Sequence, residues 1–75
     1  MAKKISKVLT VSQLVKKHTL DELIGECAGW FNSLERVSEN VWRAYGMDST
    51  VVGVGTTRKR AVAGLFDLLI ARRAL

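Results

Sequence analysis

The amino-acid sequence predicts a mainly α protein: a short helix, a long amphipathic helix, a short extended or β segment and a C-terminal helix, assembled as an intertwined homodimer. Three observations predict it. Apolar residues between Leu20 and Tyr45 recur at alternating steps of three and four, the period of one helix face. Thr10 and Thr19 each stand directly before an apolar series, where a helix N-cap belongs. The one β-branched run bounded by turn residues is short, from Thr50 to Val54.

The elements follow in order. Residues 1–9 read as a flexible basic tail, with Ile5 to Leu9 open to three readings: tail, helix extension or short strand. In "VSQLVKKH" the residues Val11, Leu14, Val15 and His18 share one helical face behind a Thr10 cap. Thr19 followed by Glu22 is a capping box, which predicts that the long helix starts at Leu20. Its stripe runs through Leu23, Ile24, Cys27, Trp30, Phe31, Leu34, Val37, Val41 and Tyr45, and Gly46 ends it as a C′ glycine. Such a helix is about 40 Å long, more than a chain of this size covers alone, so a partner is expected on it. Leu20, Ile24, Cys27, Phe31 and Leu34 are the expected dimer seam. Gly25 and Gly29 mark a close backbone approach, either across the dimer or to one of the chain's own helices. After the extended segment, Thr56 or Thr57 caps a last helix that buries Val62, Leu65, Phe66, Leu69 and Ile70 and turns Arg60, Gly64, Asp67 and Ala71 outward.

Composition narrows the class of protein. The 75 residues read as a single small domain with one cysteine, one histidine and no proline. That excludes an internal disulfide and a Cys/His zinc site, and it leaves oligomerisation as the expected support for a small core. No secretory leader and no membrane span is read, so the expected place is the cytoplasm. The net charge is +5, and it is segregated. Residues 1–17 hold five lysines and no acid, residues 18–48 hold six acids against two arginines, and residues 49–75 hold five cations against Asp67. Basic ends around an acidic middle fit a polyanion-binding surface, or charge neutralisation within a dimer.

No carboxylate pair, Cys/His pair or phosphate-loop spacing suggests an enzyme, a metal or a cofactor. Cys27 reads as a small core residue, His18 as a helix-end residue and Trp30 as core, while Trp42 reads as the exposed aromatic. The strongest chemical signal is "GVGTTRKRAVAGLFDLL", residues 53–69. Gly53 and Gly55 precede a helix start whose first turn carries Arg58, Lys59 and Arg60 behind Thr56 and Thr57. Cations there oppose the helix dipole, and a bound phosphate reverses that cost.

The same stretch resembles the C-terminal signature of double-stranded RNA-binding domains. In that family a Gly-x-Gly turn leads into Ser/Thr, two basic residues and an alanine-rich helix. Gly53, Gly55, Thr57, Arg58, Lys59 and Ala61 match it, while Val62 stands where a further lysine is usual. The resemblance implies that the basic residues at this helix start contact phosphates across a major groove. It also implies three strands between two helices. Between Gly46 and Gly53 there is no room for them, so the likeness is read as local. The expected function is therefore a small non-enzymatic regulator that binds nucleic acid through phosphates, with Lys3, Lys4, Lys16 and Lys17 in support. The alternative is a protein-binding inhibitor or adaptor, of the kind mobile genomes encode, acting through the long helix.

Overall fold

The computed structural model describes residues 9–48 and 50–73. They form α1 (Val11–Lys17), α2 (Leu20–Glu26), β1 (Phe31–Ser38), β2 (Val41–Gly46), β3 (Val52–Gly55) and α3 (Arg58–Ala71). The strands make one antiparallel sheet in the order β1-β2-β3. The fold is α+β, which corrects the mainly α expectation.

Local chemistry explains the two short helices. Thr10 and Thr19 each close a capping box: the threonine hydroxyl accepts from the N3 amide, and the Gln13 or Glu22 side chain accepts from the threonine amide. Leu14 and His18 are buried, and Val11 and Val15 are half-buried, on the face expected for α1.

The long helix does not exist. With Gly25 near its end, α2 stops at Glu26, and the Cys27 carbonyl accepts from the amides of Trp30 and Phe31 as the chain turns into β1. The apolar spacing that imitated one helix joins the face of α2 to residues of β1 and β2, helped by an irregularity in β1. Phe31 pairs with Gly46 but Ser33 with Tyr45, and Arg36 pairs with Trp42 but Ser38 with Val41. Asn32 and Val37 are therefore extra residues on β1; Asn32 stretches the strand step from Phe31 to Leu34 to three, and Val37 is itself exposed. The expected homodimer loses the helix through which it was to form.

One chain closes a core of its own. α3 lies over β2 and β3, while α1 and α2 pack against α3. Leu14, Leu23, Cys27, Ala44 and Val51 meet Ala61, Val62, Ala63, Leu65, Phe66 and Leu69 of α3, and all eleven are buried. Phe66, Leu65 and Leu14 have the largest fully buried side chains with Leu23, each contributing about 1.5–3 kcal/mol relative to exposure. Ile70 is half-buried, and Arg60, Asp67 and Ala71 face outward as expected.

Gly64, expected to face solvent, instead lies against β3, where a Cβ would sit 3.6 Å from the Gly53 Cα and from the Val54 backbone. From the strand side the fit is tighter. A Cβ on Gly53 would land on the Ala61 carbonyl oxygen and the Leu65 amide nitrogen, and one on Gly55 would sit 2.6 Å from the Ala61 nitrogen. The two faces of this contact predict opposite outcomes. Gly53→Ala destabilises the fold by about 3 kcal/mol or more through backbone overpacking, whereas Gly64→Ala is tolerated and gains up to about 1 kcal/mol of helix propensity. Urea unfolding of the two variants against the wild type checks both signs.

Candidate nucleic-acid interface

The basic turn is built by three local features. Thr57, not Thr56, is the N-cap of α3, with extended backbone (φ −134°, ψ 164°) and its Oγ1 accepting from the Arg60 amide at 3.1 Å. That makes Arg58, Lys59 and Arg60 the first three helical residues, with no acid among the first turn. Gly53 and Gly55 lie in β3 with their missing side chains towards α3. Neither has positive φ, so no nest of alternating handedness forms at the glycines, and their task is to let the helix approach.

Strand register places an aromatic beside this turn. Arg36, Trp42 and Gly55 are Cα partners across β1, β2 and β3, one row at one end of the sheet. The row is about 10 Å wide. The Arg58 guanidinium carbon stands over the Trp42 ring, 5.5 Å from its centroid, a cation–π contact. Trp42 is half-buried, packed against the core. On its other side, Arg36 folds over the β1–β2 turn, donating from Nε to the Ser38 carbonyl and from a terminal nitrogen to the Glu39 carbonyl, each at 3.3 Å. Arg58 and Arg60 are exposed and Lys59 is half-buried.

The other expected residues are scattered. Lys16 and Lys17 are exposed in the last turn of α1, where cations favour the helix dipole. Lys3 and Lys4 lie outside the described residues. Of the expected dimer seam, Cys27 is buried in the chain's own core, and Leu20, Ile24, Phe31 and Leu34 pack partly against it. Gly25 and Gly29 are exposed, and a Cβ added at either would meet nothing within 4 Å.

The titratable groups away from this end show structural uses. Burial pushes the Cys27 thiol up to about 12, with Glu26 adding to the shift, so it is a protonated core residue at neutral pH and not a nucleophile. His18 Nδ1 lies 3.7 Å from Glu22 Oε2. The Thr19 amide, which donates to the Glu22 carboxylate, holds that group below its ordinary range, with further help from the Thr19 hydroxyl and His18. On the sheet face away from α3, the Tyr45 hydroxyl donates to Glu35 Oε1 at 2.7 Å. No group of three or more metal-ligating side chains occurs among the described residues, and no helix among them is long and apolar enough to cross a membrane.

At the far end of the molecule is a cavity of about 160 Å³ lined by Trp30, Gly46, Met47, Asp48, Val51, Leu69 and Arg72. Trp30, expected in the core, is 41% exposed there. Comparison with protein families, curated proteins and solved structures finds no match for this chain.

Beside the cavity, Asp48 Oδ1 accepts from the Thr50 amide (2.9 Å) and hydroxyl (2.8 Å), and an Arg72 terminal nitrogen donates to the Thr50 hydroxyl at 3.1 Å. The Thr50 amide, then its hydroxyl and the Arg72 charge, lower the Asp48 pKa. A lowered carboxylate pKa stabilises the fold above the unfolded value of about 3.9, and that stability is lost as pH falls through the folded value. Asp48→Asn is therefore expected to flatten the acid limb of the stability curve and leave its shape near neutral pH unchanged. Urea midpoints measured between about pH 2 and pH 7 test this.

Proposed function

We propose that this protein is a small non-enzymatic nucleic-acid-binding protein that grips duplex RNA through its phosphates at the first turn of α3. The observation that carries the reading is the placement of that turn. Arg58, Lys59 and Arg60 open a helix that follows three antiparallel strands, which themselves follow a helical segment. Three strands followed by a basic-started helix is the part of the order that the resemblance to double-stranded RNA-binding domains implies; two short helices, α1 and α2, precede the strands here. The long helix that left no room for it is gone, and the Gly53, Gly55, Thr57, Arg58, Lys59 and Ala61 matches now sit on a strand, a cap and a helix start in that order.

Physical chemistry supports phosphate as the target. Three cations at the positive end of a helix raise the local potential, and no acid in the turn offsets it. Backbone amides of a first turn and arginine forks are both good phosphate donors. A contact of this kind reads the spacing of the backbone and not the bases, so duplex shape governs selectivity. The adaptor reading through a long amphipathic helix falls with that helix.

Fluorescence anisotropy tests the proposal with labelled duplex RNA of about 20 base pairs, duplex DNA and single strands at low and physiological salt. Duplex RNA is expected to bind at low salt and to weaken steeply as salt rises. Replacing Arg58, Lys59 and Arg60 by alanine is expected to lower affinity at least about tenfold and to reduce the salt slope by about three, one per lost phosphate contact. Duplex RNA that does not bind at low salt, or a triple variant with unchanged affinity, would overturn it.

A further inference from the structure

Three neighbouring cations on one helical turn point about 100° apart, so proximity in sequence does not aim them at one target. Among the described residues, only Arg58 has a partner that aims it. The Arg58 guanidinium lies over the Trp42 ring, and no aspartate or glutamate is ion-paired with it among the described residues. We propose that Trp42 is the positioning residue of the basic turn: its indole holds Arg58 in the pose in which Arg58 meets a phosphate. This inference rests on the duplex-binding reading above.

The chemistry of the contact suits that task. A guanidinium held over a ring face by its charge spends no N–H donor on a carboxylate, so its donors stay available to an oxyanion. A carboxylate partner would have done the reverse, occupying the donors and cancelling the charge. Ring contact therefore orders the side chain without consuming what binds phosphate.

The fold brings the two residues together for identifiable reasons. Gly55 is the Cα partner of Trp42 on β3 and has no side chain between the strand and α3. A Cβ there would sit 2.6 Å from the Arg60 Cβ and the Ala61 nitrogen, so the first turn of α3 is pressed onto this end of the strand. On the opposite side, Arg36 is the Cα partner of Trp42, but its guanidinium is committed to the Ser38 and Glu39 carbonyls. The indole is left to Arg58.

Ordering a long side chain before binding removes part of the entropy lost on contact, an effect of about three- to tenfold in affinity for one residue. The test is a double-mutant cycle on the full chain, read by duplex RNA anisotropy, with Trp42→Leu, Arg58→Ala and the pair. Trp42→Leu is expected to weaken binding by about that factor when Arg58 is present and to cost nothing further when it is alanine. Trp42→Phe, which keeps a ring face, is expected to retain most of the affinity and guards against a leucine variant that folds poorly. In the free protein, NMR of the Arg58 side chain is expected to show upfield ring-current shifts that vanish in Trp42→Leu.

An equal loss in both backgrounds would make Trp42 a merely structural residue and overturn the proposal. So would Arg58 resonances indifferent to the ring. If wild-type protein fails to bind duplex RNA, the functional reading falls and takes the phosphate pose with it, while the ring-current shifts still decide on their own whether Trp42 holds Arg58.

Discussion

The backbone of α3 lies directly on the backbone of β3, and the basic end of the molecule depends on that contact. Gly53 and Gly55 present no side chain to the helix, and Gly64 presents none to the strand. Where other helix–sheet contacts interpose side chains, here main chain meets main chain, as the close packing of protein interiors rewards. The rest follows geometrically. α3 spans both β2 and β3, α1 and α2 find their apolar partners on α3, and the first turn of α3 comes to rest beside the end of the sheet where Trp42 stands.

The starts of α2 and α3 form an instructive pair. Both are capped by a threonine hydroxyl that accepts from the N3 amide. In α2 the first turn is acidic, and Glu22 returns the bond to complete the box, so charge, cap and dipole agree. In α3 the N3 residue is Arg60, the box is left open on that side, and three cations face the positive end of the helix. One helix start is arranged for stability alone. The other gives up some local stability for a positive potential, a departure from consistency of the sort expected at functional sites.

Much of this was legible in the residues. The Thr10 cap, the Thr19 capping box, the buried face of α3 and the basic turn all depend on contacts a few positions apart, and local spacing reports such contacts faithfully. The stretch from Cys27 to Tyr45 was not legible. The extra residue Asn32 lengthens a strand step, so Phe31 and Leu34 recur at a helical interval although both belong to a strand. Periodicity carries no mark that separates a bulged strand from a helix. Reading that stretch as a helix also concealed the room for three strands before α3. The partner of Arg58 was hidden for a related reason: Trp42 is sixteen positions away in the chain, and only the pairing of β2 with β3 brings it alongside.

The burial of Cys27 has a bearing on how copies of this chain can be joined. It is the only sulfur nucleophile the sequence contains, and it is closed off at the end of α2 beneath its own core. Two folded molecules therefore do not join through a Cys27–Cys27 disulfide, since neither thiol reaches the surface. A disulfide-linked dimer on a non-reducing gel is consequently a record of molecules whose cores have opened.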